Sequence, residues 1–259
     1  MSKHGRRVRR VLRAPPSASE QWERELPIDK NEWVNLMLEK LPEAVGRALR
    51  DQRAGLDSIV FNQLGLRGGT GAIQVRSLAF ADHAPIPAIY TADGDGISPP
   101  LEWTGIPEAA ASLILIVEDA DSPTPNPLVH AIVADLPPQD ALLEDGSIDN
   151  DKSDPEPEGG TIGRNSFLQA GWLPPDPPPG HGVHRYVFQL FALSEGPAAP
   201  SRPGRDAVVD MLKKRAIASG MLTGTYARPD GTVKVKAEEV NAEDAGRAPV
   251  LDPAGLMGS

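Results

Sequence analysis

The chain has 259 residues, 40% of them hydrophobic, which is enough for one substantial domain with extensions. A net charge of −10 argues against general nucleic-acid affinity for the body of the protein. The absence of cysteine excludes disulfides, thiolate nucleophiles and cysteine-based zinc sites, while 27 prolines and 25 glycines favour short strands over long helices.

Residues 1–28 read as a basic disordered arm. Lys3, Arg6, Arg7, Arg9, Arg10 and Arg13 crowd its start without an acid, and no apolar stretch comes after them as a secretory signal would need. The longest apolar run, Leu113 to Val117, is too short to span a bilayer. The expectation is a soluble, cytoplasmic protein without stable membrane insertion.

Residues 29–63 predict a helical extension. Asp29 is a candidate cap, and Trp33, Leu36, Met37 and Leu41 succeed it at a spacing of three to four. Pro42 bends or restarts the helix, after which Ala44, Val45, Ala48 and Leu49 form a second apolar stripe. Such a helical pair buries its stripe either on the neighbouring domain or in a homodimer.

Residues 64–72 read as a linker, and the pattern then turns to strands. Residues 72–80 alternate, with Ile73, Val75 and Ser77 on one face. Residues 111–120 form the apolar run of a strand buried on both sides, and 129–137 and 186–193 are further strands. Long loops rich in Pro, Gly and Asp, such as 144–160 and 173–182, separate them and mark functional or mobile segments. Residues 205–222 predict a helix with Val208, Val209, Leu212 and Ile217 on one side, stopped by Gly220 and Gly224. Residues 229–259 read as a loose tail.

Strand alternation puts His184, Tyr186, Phe188 and Leu190 on one face, and Arg185, Val187, Gln189 and Phe191 on the other. His181 lies in the preceding loop, as lip or as solvent-exposed residue. A second cluster joins Glu118, Asp119 and Asp121 at the end of one strand to His130 at the start of the next. Asp119 and Asp121 share a side if the chain stays extended. A metal site would want His130, His184 and a carboxylate, but there is no H-x-H or H-E-x-x-H pattern. A hydrolase would want a nucleophile, and Ser98, Ser122 and Ser166 lie outside any G-x-S-x-G elbow. An anion pocket needs only imidazole and tyrosine donors, with carboxylates to hold the histidine tautomers. Ordinary polar residues at strand ends are the remaining alternative.

Three stretches in order, DGDGISPPLEWTGIP, LILIVEDADSPTPNPLVHAIVADLP and PPPGHGVHRYVFQLFAL, together with the closing MLTGTYAR, resemble the phosphatidylethanolamine-binding protein family. The likeness is to its bacterial, Raf kinase inhibitor-like branch. It implies a mainly β domain over 72–228, an antiparallel β-sandwich with a C-terminal helix, here carrying an N-terminal helical extension. It also implies a small pocket for phosphate, acetate or headgroup-like anions. Asp119 falls on the first Asp of the family's D-P-D-A-P motif, His130 on its strand-opening histidine, and His184 and Tyr186 on its G-x-H-R-Y motif. The expected ligand-binding set is therefore Asp119, Asp121, His130, His184 and Tyr186, with Pro177, His181 and Trp172 at the rim. No catalytic residue, metal or cofactor is assigned, and a kinase or protease partner is a family-level implication. Ala120 stands where the family has Pro and predicts a looser turn. Val129 replaces an aromatic and predicts a thinner pocket wall, and Asp176 adds a negative charge near the mouth. The alternatives are a hydrolase or metal-assisted enzyme using the same acids and histidines, and an assembly protein acting through residues 29–63.

Overall fold

A computed structural model describes residues 43–64, 71–148, 160–196 and 198–229. Its spine is a pair of long antiparallel strands, β4 (Ser112–Asp119) and β8 (His184–Leu193), paired from Ser112–Leu193 to Asp119–Tyr186. Around them a six-stranded sheet is built in the order β1-β9-β8-β4-β5-β7, with β1 (Gly71–Ala72), β5 (Leu128–Leu136), β7 (Thr161–Ile162) and β9 (Ala216–Tyr226). A three-stranded sheet holds β2 (Gln74–Arg76), β3 (Leu101–Thr104) and β6 (Ala141–Leu143) in the order β2-β3-β6. All pairings among these strands are antiparallel except β1 with β9.

Alternation along β4 and β8 sorts their side chains into two cores. Leu113, Leu115, Val117, Phe188 and Leu190 pack with Leu101 and Trp103 of β3, between the sheets. Ile114, Ile116 and Phe191 face the other way, under Val208, Val209 and Leu212 of helix α3 (Arg205–Arg215). Both faces of these strands are thus covered, which explains their nearly unbroken apolar runs. The mainly β sandwich with a C-terminal helix is the architecture expected from the sequence.

The helix is shorter than its apolar pattern suggests. It stops at Arg215, and Ile217, Gly220 and Gly224 belong to β9 rather than to a helix and its stop signals. The Arg215 guanidinium donates to the Ser194 carbonyl at 2.7 Å, and the Arg215 carbonyl accepts from the Ser194 amide at 2.9 Å. This ties the helix end to the end of β8. The glycines serve close packing. A Cβ on Gly220 would lie 2.0 Å from the Ile73 carbonyl oxygen, and one on Gly224 would lie 2.5 Å from the Ile86 side chain.

The N-terminal extension also differs from expectation. Residues 29–42, with the Trp33 stripe, lie outside the described residues. The described part of the extension contains α1 (Glu43–Ala48), a 3-10 turn (Leu56–Ser58) and the one-turn α2 (Val60–Gln63). Ala44 and Ala48 are exposed, so the second stripe is not a buried face; the buried residue of α1 is Gly46. The segment packs on its own domain through the fully buried Ile59 and Val60 and through polar groups. Helix α2 has no side-chain cap of its own. Its Val60 amide instead donates to the buried Glu118 carboxylate at 2.8 Å, and its Phe61 amide to the Gln189 side-chain oxygen at 2.7 Å. Arg205 completes the node, donating to Glu118 at 2.7 Å and to the Ser58 carbonyl at 2.7 Å. A buried carboxylate needs this degree of pairing.

Gly220→Ala should lower the unfolding free energy by about 1–3 kcal/mol through overpacking of β9 on Ile73. Urea titration of the two proteins measures it, and an unchanged midpoint would contradict the packing described.

Candidate functional site

The carboxyl end of β4 and the amino end of β8 meet at one corner of the large sheet, where Asp119 and Tyr186 are register partners. His130 reaches the same corner by an irregularity in β5. Val117 pairs with Ala131 but Glu118 pairs with Val129, so His130 is an extra residue in the ladder. Such a bulge re-aims side chains. Ala131 stays in the inter-sheet core, while Val129 turns under α3 into the other core. Val129 therefore does not thin the pocket wall; the bulge removes it from the pocket.

A cavity of about 350 Å³ opens here. Asp119, His130, His184 and Tyr186 line it, together with Trp172, Pro177, Asp95 and Asp176. His130 Nδ1 lies 2.6 Å from the Leu173 carbonyl oxygen. A carbonyl only accepts, so Nδ1 carries the hydrogen and Nε2 presents a lone pair when the ring is neutral. Burial lowers the His130 pKa against the opposing pull of Asp119, which favours that neutral ring. Neither His130 Nε2 nor the Tyr186 hydroxyl, both buried, has a hydrogen-bond partner among the described residues. Burial first, and then Asp119, push the Tyr186 pKa well above its ordinary value, so it remains a hydroxyl and a donor.

His184 is held from both sides. Its Nδ1 lies 2.7 Å from Asp119 Oδ2 and its Nε2 lies 2.7 Å from His181 Nδ1. The other oxygen of Asp119 accepts from the Asp121 amide at 2.8 Å, a side-chain turn that reverses the chain directly after β4. That turn separates the two acids. Asp121 is buried outside the cavity, where Arg185 donates to both of its oxygens at 2.6 Å and Arg53 lies at 2.9 Å. Its place in the expected ligand set is thus corrected: it is a structural counter-ion, because the chain does not remain extended past Asp119. Burial opposes its charge, yet hydrogen bonds from Arg185 and Arg53 outweigh burial and hold its carboxyl at about 2.

His181 is neither lip nor solvent-exposed. It is fully buried behind His184, and its Nε2 lies 2.8 Å from the Leu49 carbonyl oxygen. Asp176 does face the cavity, but Arg228 pairs with it and also with Asp93, at 3.1 Å. One guanidinium shared by two carboxylates offsets part of the charge near the mouth and leaves it net negative. Ala120 does not loosen the turn. Its amide, which Pro would lack, donates to the Arg185 carbonyl at 3.0 Å, and its carbonyl accepts from the Gly55 amide at 2.7 Å. Sequence reasoning missed that Arg228 joins Asp93 and Asp176, although Asp93 opens the first of the motifs already noted and Arg228 closes the last. No cluster of three or more histidine and acidic side chains placed to hold a metal ion occurs among the described residues.

A two-sheet sandwich with this corner cavity is a small-ligand-binding architecture of the phosphatidylethanolamine-binding type, and comparison with known proteins agrees. The model of the phosphatidylethanolamine-binding protein family matches residues 76–227, and the chain belongs to that family. An Aquifex aeolicus protein described as a UPF0098 protein is 36% identical over 175 residues, spanning 67% of this chain and 99% of its own. The crystal structure of Escherichia coli YbcL, described as a member of the mammalian family, superposes with a TM-score of 0.56 at 29% identity, covering 61% of this chain and 99% of YbcL. A Chlamydia trachomatis homologue of the family superposes with a TM-score of 0.54 at 33% identity, over 61% and 99% of the two chains.

The depressed Asp121 carboxyl has a pH signature. A folded value below the unfolded one contributes stability above about pH 4 that is lost as pH falls towards 2. Wild type should lose about 2 kcal/mol across that window, while Asp121→Asn, less stable at neutral pH, should lose correspondingly less. Chemical unfolding at stepped pH measures this, and parallel pH profiles for the two proteins would contradict it.

Proposed function

We propose that the corner cavity binds an oxyanion of the phosphate or phosphate-ester class and that the protein works by binding rather than by turnover. The observation that carries this reading is the pair of buried orphan atoms, the lone pair of His130 Nε2 beside the hydroxyl of Tyr186. Unpaired polar atoms cost free energy in a closed site, and a ligand that pairs with both recovers it. The complement is a group with a bare oxygen for the Tyr186 donor and an O–H for the His130 acceptor. A monoprotonated phosphate ester or inorganic hydrogen phosphate supplies both. The His184–Asp119 pair lies alongside. Both ring nitrogens of His184 are engaged, by Asp119 and by His181, so His184 acts on a bound anion through its charge when protonated and not as a hydrogen-bond donor.

Membership of a ligand-binding family supports the reading. Ser122 lines the cavity, but its hydroxyl lies 2.7 Å from the Thr124 hydroxyl and 3.3 Å from the Asp119 carbonyl oxygen, with no histidine to activate it. The residues therefore favour binding over hydrolysis. A lipid-headgroup fragment and a phosphorylated side chain on a regulatory partner both carry the group in question; the chemistry recognised is shared.

Calorimetric titration separates these sources. Inorganic phosphate, O-phosphorylethanolamine and O-phosphoserine should bind in the micromolar to millimolar range, roughly −4 to −8 kcal/mol, with the natural source tightest. His184→Ala and Tyr186→Phe should each weaken binding about tenfold or more, in line with a lost neighbouring charge and a lost buried hydrogen bond respectively. A phosphate monoester sheds its last proton near pH 6, so its affinity should fall above that pH, whereas inorganic phosphate keeps an O–H and should fall less. Absence of saturable binding by all three ligands at both ends of the range would overturn the proposal.

A further inference from the structure

The segment 43–63 lies outside the family match, yet it holds both loops that carry the pocket groups. The Ala54 and Gly55 amides donate to the Ser122 and Ala120 carbonyls at 3.1 and 2.7 Å, fixing the turn after Asp119. Arg53 donates to the Val183 carbonyl at 2.9 Å and to the His181 carbonyl at 3.2 Å, fixing the loop before His184. Gly46 lies flat on the same loop, where a Cβ would come 1.9 Å from the Pro179 carbonyl oxygen. Glu118 and Gln189 anchor the far end of the segment at Val60 and Phe61.

Behind the pocket runs a chain of three hydrogen bonds: Leu49 carbonyl to His181 Nε2 at 2.8 Å, His181 Nδ1 to His184 Nε2 at 2.7 Å, and His184 Nδ1 to Asp119 Oδ2 at 2.7 Å. Each bond needs one hydrogen. The Leu49 carbonyl accepts only, so the first must be carried by His181 Nε2. Three protons are therefore shared by His181, His184 and Asp119, which hold two when both rings are neutral and the acid is ionised. If Leu49 moves away, water at His181 Nε2 donates instead of accepting. His181 then turns its hydrogen toward His184, and two protons close the remaining bonds.

We propose that residues 43–63 form a strap whose docking adds a proton to the pocket, with His181 as the positioning residue that couples the two. With the strap docked, His184 faces the cavity as an imidazolium paired to Asp119. Burial first, and then His184 and Arg53, lower the His181 pKa, so the added proton rests on His184 rather than on His181. The charged and titratable groups around the pair are Arg53 of the strap, Asp119 and Asp121 at the end of β4, His130 of β5, Arg185 and Tyr186 of β8, and Tyr226 of β9, the register partner of His184. Arg53 and Arg185 are both engaged by Asp121, which leaves Asp119 as the counter-charge of the chain. Docking takes up a proton, so rising pH opposes it. By reciprocity, an oxyanion that prefers charged His184 strengthens the strap, and the strap strengthens the oxyanion. The ligand half of this coupling rests on the oxyanion reading above; the proton half does not.

The test is NMR of the full chain labelled with ¹⁵N-histidine, read beside amide exchange at Ala54 and Gly55. The expected result near neutral pH is three protonated ring nitrogens among the four of His181 and His184, with both amides protected. As pH is raised, the third proton should leave together with at least about tenfold of that protection, beyond intrinsic base catalysis. Gly46→Ala, whose Cβ would crowd the Pro179 carbonyl and the His181 backbone amide and so loosen the docked strap, should shed the third proton at lower pH. His181→Asn should make the protection independent of the remaining ring's proton. Two ring protons beside a protected strap, or protection that ignores the third proton, would overturn the proposal. Added inorganic phosphate should slow exchange at Ala54 and Gly55 in wild type. If phosphate does not bind at all, the oxyanion reading fails while the proton count still decides the strap; if it binds without slowing exchange, the coupling fails.

Discussion

Three carboxylates within four residues, Glu118, Asp119 and Asp121, are buried where the central strand β4 ends. Carboxylates can be buried only with partners, and each of these draws its own from a different part of the chain. Glu118 gathers Arg205 of α3, Gln189 of β8 and the first amide of α2. Asp119 takes His184 and the Asp121 amide. Asp121 takes Arg185 and Arg53. The strap, the helix and the start of β8 are placed by this one requirement, and the cavity opens beside the corner they fix, lined from the end of β4, the start of β8, His130 and the loops around them.

Residues 43–63 of the extension are accordingly packed on the sandwich beside the cavity. Ile59 and Val60 enter the sandwich's cores, but the contacts made with the two loops that carry Asp119 and His184 are mainly backbone amides, carbonyls and one arginine. Such polar contacts leave little trace in a hydrophobic pattern. The apolar stripe across residues 44–49 therefore points to the wrong face, while the residue that matters, Gly46, is marked only by its close approach to Pro179.

Much of the fold was legible because β4, β5 and β8 are apolar on both faces and alternate cleanly. The same alternation brought His184 and Tyr186 together. Where the sequence misled, a local break in regularity was responsible. The bulge at His130 removed Val129 from the pocket, and the side-chain turn at Asp119 sent Asp121 to Arg185. Gly220 and Gly224 resemble helix stops because glycine carries the same signal in either role; only the third dimension shows Ile73 and Ile86 against them. His181 was the hardest to place, since its partners, Leu49 and His184, are 132 and 3 positions away and one of them is a backbone carbonyl.

In the proposed function, His184 binds ligand only as a unit with Asp119. A double-mutant cycle on phosphate affinity, using Asp119→Asn, His184→Ala and the double variant, tests this most directly. Residues acting as a unit should show a coupling of about 1 kcal/mol or more, with the second substitution adding little to the first. Effects that add within about 0.5 kcal/mol would mean that the two side chains act independently, and would contradict that unit.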